Sequence, residues 1–191
     1  MAIRAVIFDL YGVLGLNGWQ AFKTQHFAGR EAAWERLRAL GQQADTGKNA
    51  QSAFVSAVAQ ATGQTEQTIR YQFEHTVANT SLFEFIAAEL HGRYKLAILS
   101  NTSADVFADI FTPSQRALFD EVISSHQTGL AKPDPQMFLL ACGWLGLEPA
   151  ECLMVDDKAE HVAAARTLGM PAVRYANTAQ ATHDIMAVLE Q

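Results

Sequence analysis

Polar side chains that could do chemistry follow three short apolar runs of this sequence, each at the point where the run ends. They are Asp9, the pair Ser100 and Asn101, and the pair Asp156 and Asp157. Any one of them alone is better explained as a helix cap or a turn residue. In an open α/β sheet, however, ligands bind outside the carboxyl ends of the strands. If the three runs are parallel strands, these side chains gather at one sheet edge, and their joint placement predicts a functional site there.

The aspartates at this predicted edge would repel one another. Two like charges about 4 Å apart cost roughly 4 kcal/mol at an effective dielectric constant near 20. A divalent cation between the carboxylates removes that cost, and a site built from oxygen ligands suits Mg²⁺. Asp156 and Asp157 close to Asp9 therefore predict a Mg²⁺ site. Asp157 is also explained by helix capping, because Glu160 follows three residues later, as in a capping box.

The elements that must position these residues alternate between strand and helix. The first run, Ala5–Phe8, is apolar at every position, which is typical of a strand buried on both faces of a parallel sheet. Similar short runs are Leu96–Leu99, Glu121–Ile123, Leu153–Val155 and Ala172–Tyr175. The helical stretches that alternate with these runs are Ser81–His91, Ala104–Phe111, Pro135–Leu145, Ala159–Leu168 and Thr178–Leu189. This pattern predicts an α/β fold, a doubly wound parallel sheet with a Rossmann-like core.

The segment 16–79 interrupts this alternation, because it holds no convincing strand. Its helical patterns run over Arg30–Leu40, Ala50–Ala61 and Thr65–Val77, and the glycines that separate them are Gly41, Gly47 and Gly63. We therefore expect a small all-helical cap domain over residues 16–79. It is inserted into a Rossmann-like core that consists of residues 1–15 and 80–191.

Aromatic residues have predicted places in both parts of the chain. Trp19, Phe22 and His26 fall on one helical face by spacing. Packing within the cap explains such a stripe more often than substrate contact does. Trp34 and Trp144 are expected in the core.

Composition limits the class of protein. Of the 191 residues, 49% are hydrophobic and 18% are charged, which is a globular composition with ample material for a core. The formal net charge of −6, without a Lys/Arg cluster, argues against nucleic acid as a partner. Asp9 interrupts the first apolar run, so we expect neither a signal peptide nor a membrane span there. A cytoplasmic protein without a membrane partner is the default expectation, and the sequence is silent on oligomeric state.

Four short motifs of the chain resemble those of the haloacid dehalogenase superfamily, in the branch with a helical cap inserted directly after the first motif. The motifs are Asp9–Leu14 (DLYGVL), Leu99–Thr102 (LSNT), Lys132–Pro135 (KPDP) and Val155–Asp157 (VDD). They occur in the family's order and approximate spacing, and together they span nearly the whole chain. Gly47-Lys48 ahead of Phe54 is also similar to a recurring cap segment of the family.

The resemblance implies a role for each matching residue. Asp9 attacks the substrate and forms a covalent aspartyl intermediate, which water then hydrolyses. Ser100 hydrogen-bonds a transferring phosphoryl oxygen, and Lys132 neutralises charge on the nucleophile and the phosphoryl group. The implied metal ligands are Asp9, the backbone carbonyl of Tyr11, and Asp156, with Asp157 as a further ligand or a neighbour of the ligands. The implied substrate-binding residues are Tyr11, Ser100, Asn101 and Lys132.

Tyr11 departs from the family's phosphatases, which usually carry a second aspartate two residues after the nucleophile. That aspartate protonates the leaving group and later activates water, whereas a phenol with a reference pKa of about 10 is a poor base near neutrality. Asp-x-Tyr-Gly is instead the pattern of the superfamily's 2-haloacid dehalogenases, whose halide leaves unaided.

The fourth motif points away from those dehalogenases, which hold a Ser-x-Asn arrangement in place of paired aspartates. Here the aligned residues are Asp156, Asp157 and Lys158. His161 is a further departure, because it stands where the fourth motif often has asparagine. It is either a neighbour of the site residues or an ordinary helical histidine.

These features predict a Mg²⁺-dependent phosphatase of a small phosphorylated metabolite. Asp156 and Asp157 would repel a haloacid's own carboxylate, whereas a phosphoryl group bound through Mg²⁺ explains them. Without a strong general acid at Tyr11, the enzyme should prefer phosphates with good leaving groups, such as anomeric sugar phosphates or acyl phosphates. Two alternatives stay open: a metal-independent 2-haloacid dehalogenase, and a catalytically degenerate member that binds a phosphorylated ligand without turning it over.

Overall fold

A five-stranded parallel sheet forms the centre of the protein. In this computed structural model, the described residues are 2–44, 48–102 and 106–190. The strands in these ranges are β1 (Ala5–Phe8), β2 (Gly15–Leu16), β3 (Val77–Ala78), β4 (Lys95–Ser100), β5 (Glu121–Ser124), β6 (Cys152–Asp156) and β7 (Ala172–Arg174). Five of them form one sheet in the order β5-β4-β1-β6-β7, and all neighbouring strands in it are parallel. The predicted doubly wound α/β fold is therefore confirmed.

Helices connect these strands. They are α1 (Trp19–Phe27), α2 (Glu31–Ala44), α3 (Lys48–Thr62), α4 (Glu66–Glu74), α5 (Thr80–Phe85), α6 (Phe107–Ile110), α7 (Pro113–Arg116), α8 (Ser125–Thr128), α9 (Pro135–Leu145), α10 (Ala159–Thr167) and α11 (Thr178–Leu189). A π-helical turn, Ile86–Leu90, extends α5, and a 3₁₀ turn, Pro149–Glu151, precedes β6. Both α9 and α11 have the predicted bounds, whereas α6 is shorter than predicted, and Ala104 lies outside the described residues. No helix within the described ranges is both long enough and apolar enough to span a bilayer.

The start of α10 differs from the prediction in a way that matters for the site. Lys158 is its N-cap residue, and no side chain caps the helix by a hydrogen bond. The predicted capping box of Asp157 and Glu160 is therefore wrong, because Asp157 lies one residue before the N-cap. Its carboxylate is thus not used to begin a helix. The cap of α9 is conventional by comparison, since the Asp134 side chain accepts a hydrogen bond from the Gln136 N–H.

The two faces of the sheet carry separate apolar clusters. Side chains alternate along β1, so that Val6 and Phe8 pack with residues of α5 and α11, while Ala5 and Ile7 pack with residues of α9 and α10. Because helices cover both faces, every residue of β1 is buried, which explains why this run is apolar without alternation. Cys142 and Cys152 are free thiols buried in the second cluster, in agreement with their apolar sequence surroundings.

Trp144 is 47% exposed, so its predicted place in the core is wrong. The sequence of α9 is apolar on nearly all sides, and it does not indicate which side faces the sheet. Met137 and Phe138 take core positions instead. Trp34, by contrast, is partly buried against the apolar cluster of the segment between β2 and β3.

The helices α1 to α4 all lie between β2 and β3, in the segment that we propose as a cap domain. They pack around their own apolar cluster, which includes Phe22, Val58 and Ile69. Trp19 stacks on Phe22 with 5.6 Å between ring centroids, as expected for an internal packing stripe. Gly41 lies inside α2 rather than at its end, because a single glycine costs a helix only about 1 kcal/mol. Gly47 lies outside the described residues.

The chain leaves and re-enters the core through adjacent strands. β2 and β3 pair antiparallel, although the sequence predicts no strand there, because two-residue strands are too short to show an alternating pattern. After β3, the buried Asn79 donates from Nδ2 to the Val13 carbonyl oxygen and to Tyr175 Oη, each at 2.9 Å. The first bond attaches the returning chain to the loop that follows β1, and the second attaches it to the residue that follows β7.

Candidate active site

Asp9 and Asp156 lie side by side at the carboxyl edge of the sheet. Asp9 follows β1 directly, and Asp156 is the last residue of β6, the parallel neighbour of β1. Lys132 lies between them: its Nζ is 2.8 Å from Asp9 Oδ1 and 2.7 Å from Asp156 Oδ2. All three side chains are buried. The structure thus brings three of the predicted site residues into direct contact.

Asn101 holds the backbone of Lys132. Asn101 Nδ2 donates to the Lys132 carbonyl oxygen at 2.8 Å, and the Lys132 N–H donates to Asn101 Oδ1 at 2.8 Å. This pair of bonds joins the end of β4 to the loop before α9, and it directs the lysine toward the two carboxylates. A substrate contact for Asn101 stays a prediction, since both ends of its amide already bind Lys132.

Ser100 presents an unsatisfied hydroxyl. It is the last residue of β4, the other neighbour of β1, and is fully buried, and its Oγ has no hydrogen-bond partner among the described residues. A buried polar group without a partner costs about 1–3 kcal/mol, so native structures keep few of them. An anionic ligand at this edge of the sheet would accept a hydrogen bond from Ser100 and remove that cost.

Asp156 accepts hydrogen bonds from three directions. Besides Lys132, the Lys158 N–H donates to Oδ1 at 2.9 Å, and His161 Nδ1 lies 3.0 Å from Oδ1 and 2.9 Å from Oδ2. Burial opposes ionisation of Asp156, but Lys132 and His161 outweigh it and hold the pKa of this carboxyl below its usual range. His161 is buried in the first turn of α10, so of its two interpretations from the sequence, the one next to the site residues is confirmed.

The pKa of Asp9 is shifted in the opposite direction to that of Asp156. Burial and the Asp156 charge raise the pKa of Asp9, and Lys132 and His161 only partly oppose them. Oδ1 accepts hydrogen bonds from the Leu10 N–H at 2.7 Å and from Lys132. Oδ2 accepts none from any residue that the structure describes, so it is the oxygen left for a reaction. A further positive charge at this site would keep Asp9 ionised.

Asp157 packs against the loop that follows β1. A Cβ on Gly12 would lie 2.7 Å from Asp157 Oδ2, and Gly12 has φ +86°, so both the close approach and the backbone conformation require glycine. Oδ1 of Asp157 is buried without a hydrogen-bond partner in the described ranges. Burial, followed by the charges of Asp9 and Asp156, raises the pKa of Asp157 to about 7.

Tyr11 lies in the turn between Asp9 and Gly12. Its backbone forms an isolated bridge with Gly15, and its side chain is partly buried against the apolar cluster that contains Phe8. Tyr11 is therefore held by the core of the protein. Its predicted parts in metal and substrate binding stay predictions.

The residues at this edge are suited to a divalent cation. Asp9, Asp156 and His161 each offer one ligand atom, and these three atoms all lie within 4.8 Å of one another. Asp157 adds a buried carboxylate oxygen that lacks a partner. Asp9, Asp156 and Asp157 lie close together with one buried lysine, Lys132, and a cation would offset the excess negative charge. The geometry adds His161 to the predicted candidate ligands.

The raised pKa of Asp157 leads to a pH-dependent prediction for the metal-free protein. Its ordinary pKa is 3.8, so the folded state favours the protonated form, and the stability that this gives is lost as the pH rises from about 4 to about 7. Asp157→Asn is neutral at every pH and should avoid that loss. In EDTA, we expect Asp157→Asn to gain about 5–10 °C in Tm relative to the native protein when the pH is raised from 5 to 8.

Scanning calorimetry at the two pH values measures this difference. Asp109→Asn is the matched control, because Asp109 is an exposed aspartate on α6. Its Tm difference should be the same at both pH values. An equal Tm difference for Asp157→Asn at pH 5 and pH 8 would contradict the assignment of a raised pKa to Asp157.

Most of this chain is similar in sequence to a known protein family and to several curated proteins. Residues 3–169 match the model of the haloacid dehalogenase-like hydrolases. Bifunctional epoxide hydrolase 2 of Sus scrofa is 26% identical over 98% of this chain and 39% of its own length. A phosphatase of Mycobacterium tuberculosis is 38% identical over 41% of this chain and 37% of its own length. Fructose-1-phosphate phosphatase YqaB of Escherichia coli is 33% identical over 44% of this chain and 45% of its own length. The chain thus spans less than half the length of these curated relatives.

Solved structures share the fold over most of the chain. A predicted haloacid dehalogenase-like hydrolase from Porphyromonas gingivalis is 28% identical, with a TM-score of 0.70 and 100% of both chains covered. A haloacid dehalogenase family enzyme of Bacteroides thetaiotaomicron, in complex with magnesium and inorganic phosphate, has 22% identity and a TM-score of 0.63, covering 91% of this chain and 94% of its own. L-2-haloacid dehalogenase of Xanthobacter autotrophicus has 22% identity and a TM-score of 0.61, covering 91% of this chain and 78% of its own.

Proposed function

This chain belongs to the haloacid dehalogenase-like hydrolases, and on that premise we propose that it is a Mg²⁺-dependent phosphatase of small phosphorylated metabolites. One observation carries the proposal. Asp9, Asp156 and Asp157 lie together at one sheet edge, where Lys132 contacts both Asp9 and Asp156. Such a site attracts a cation and, through it, an anionic phosphoryl group. The relatives named as phosphatases support the same reaction class.

In the first step of the proposed mechanism, Asp9 Oδ2 attacks the phosphorus atom. The new bond joins Oδ2 to phosphorus, the ester bond to the leaving oxygen breaks, and that oxygen takes its proton from water. Lys132 Nζ, 2.8 Å from Asp9 Oδ1, holds the nucleophile and balances charge on the phosphoryl oxygens. The buried Ser100 hydroxyl donates to one of those oxygens.

In the second step, water attacks phosphorus and breaks its bond to Asp9. The carboxylate leaves with the bonding electron pair, inorganic phosphate forms, and a proton passes to the solvent. A carboxylate is a good leaving group, so this step makes less demand on a strong base. A bound Mg²⁺, held by Asp9, Asp156 and the neighbouring Asp157, would supply positive charge that offsets the repulsion between the carboxylates and the phosphoryl group.

The runner-up is a 2-haloacid dehalogenase, which Tyr11 favours. The Xanthobacter dehalogenase has a similar fold, but at 22% identity that likeness concerns the fold alone. The buried carboxylates are the argument against this reading. A haloacid carries its own carboxylate, which Asp156 and Asp157 would repel without a cation.

A substrate panel separates these functions. We expect phosphate release from p-nitrophenyl phosphate and acetyl phosphate in Mg²⁺, loss of that activity in EDTA, and no halide from 2-chloropropionate. Because Tyr11 is a weak general acid, p-nitrophenyl phosphate should react about 10²–10⁴ times faster than a simple alkyl phosphate. Metal-independent halide release without phosphate release would overturn the proposal in favour of the dehalogenase. Binding of inorganic phosphate without any turnover would favour a non-catalytic member.

Variants of Tyr11 test the leaving-group argument separately. Tyr11→Asp places a carboxyl group where the family's phosphatases usually have one. It should reduce the ratio of the reaction rate with p-nitrophenyl phosphate to the rate with an alkyl phosphate. Tyr11→Phe removes only the phenol hydroxyl and should leave this ratio of rates unchanged. A native enzyme that is insensitive to the leaving-group pKa must obtain its proton from another residue.

A further inference from the structure

His161 occupies a place beside Asp156 that an ordinary helical histidine would not take. Its side chain is 3% exposed, and Nδ1 lies within 3.0 Å of both oxygens of the Asp156 carboxylate. Among the described residues, Asp156 is its only side-chain hydrogen-bond partner. The imidazole is therefore fixed by one contact, and that contact is a carboxylate of the proposed metal site.

The same ring also lies close to the nucleophile. A nitrogen of His161 and one oxygen each from Asp9 and Asp156 are mutually within 4.8 Å. The ring comes from the first turn of α10, which begins three residues after β6 ends, so the sheet edge sets its position. A cation that binds Asp9 and Asp156 beside Lys132 would thus have an imidazole nitrogen in reach, as well as oxygen atoms.

We propose that His161 is a ligand of the metal ion and that this centre therefore binds Mn²⁺ and later first-row divalent ions in preference to Mg²⁺. The inference rests on the metal site of the proposed function and refines the identity of its cation. Mg²⁺ is a hard ion that takes oxygen ligands almost exclusively, whereas imidazole nitrogen binds first-row transition ions well. One nitrogen among carboxylate ligands thus raises the affinity for those ions more than the affinity for Mg²⁺.

Spin-echo EPR of the native protein loaded with Mn²⁺ tests nitrogen ligation directly. A coordinated imidazole should give ¹⁴N modulation of the Mn²⁺ echo, and His161→Asn should remove that modulation. His183→Asn is the matched control, because His183 is an exposed histidine on α11, and it should leave the signal unchanged. The native spectrum alone is informative, so the test does not depend on the stability of the variant.

Titration calorimetry supplies the second measurement. The ratio of Mn²⁺ affinity to Mg²⁺ affinity should fall about tenfold or more in His161→Asn and should not change in His183→Asn. If His161 only orients Asp156 by a hydrogen bond, His161→Asn should lower the affinities for Mn²⁺ and Mg²⁺ by the same factor. The native protein should then give no ¹⁴N modulation. That result would overturn this inference and leave the phosphatase proposal in place. If neither ion bound the native protein, this inference and the metal dependence of the proposed function would both fail.

Discussion

Asp9→Asn should lower the rate of phosphate release by at least about 10³-fold, the largest effect of any single substitution that we expect. The amide has nearly the shape of the carboxylate but no nucleophilic oxygen to attack phosphorus. Its Oδ1 can still accept the hydrogen bonds from the Leu10 N–H and from Lys132 Nζ. The variant removes a buried negative charge that Asp156 opposes, so we expect it to fold and to retain its Tm or exceed that of the native protein.

The rate is measured with p-nitrophenyl phosphate in Mg²⁺, and folding is checked by circular dichroism and Tm. Asp109→Asn makes the same chemical change at an exposed position on α6 and should retain full activity. Acid-quenched native enzyme should also carry phosphate on Asp9, detectable by mass spectrometry. An Asp9→Asn variant within tenfold of the native rate would mean that water attacks the substrate directly.

Lys132→Met should both inactivate and destabilise the protein. Methionine fills a similar volume but leaves Asp9 and Asp156 without the ammonium group that lies within 2.8 Å of each. Removing one partner of a buried ion pair costs about 3–5 kcal/mol, and we expect the lower end here because His161 and the Lys158 N–H still bind Asp156. The loss should shrink as the pH falls, since without Lys132 the carboxyl groups take up protons more readily.

Urea denaturation in EDTA at pH 7.5 and pH 5 measures these changes in unfolding free energy. Lys95→Met is the control: Lys95 is exposed, and its Nζ donates a hydrogen bond to the Leu145 carbonyl oxygen. The free energy of unfolding of that variant should be lower than that of the native protein by about 1 kcal/mol at most, and this difference should be the same at both pH values. A loss below about 1 kcal/mol in Lys132→Met would show that the two carboxylates do not depend on the lysine for compensation.

The fold and the proposed active-site edge can be predicted from the sequence, because parallel strands that are buried on both faces are apolar at every position. Ala5–Phe8 is apolar throughout, and the first polar residue after it is Asp9. The strand ends then locate Ser100 and Asp156 without knowledge of any contact. Lys132 is different, because it belongs to no strand, and only its resemblance to a family motif indicates that it reaches this edge.

Other features of the structure are not indicated by any local pattern in the sequence. His161 is one helical residue among several, and its contact with Asp156 depends on the angle at which α10 leaves β6. The Asn101 amide binds the Lys132 backbone, and no local sequence pattern indicates this contact between distant segments. Trp144 lies on a helix that is apolar on nearly all sides, so periodicity cannot tell its buried side from its exposed side.

The pairing of β2 with β3 has a consequence for how this protein can change over evolutionary time. The helices α1 to α4 are attached to the sheet through two adjoining chain crossings, and Asn79 fixes the second crossing to the first. An insertion whose two ends adjoin can be lengthened, shortened or exchanged without altering the spacing of the residues on either side of it. Asp9 lies before this insertion, and Ser100, Lys132 and Asp156 lie after it. Replacement of the insertion can therefore leave the arrangement of these four residues at the sheet edge unchanged.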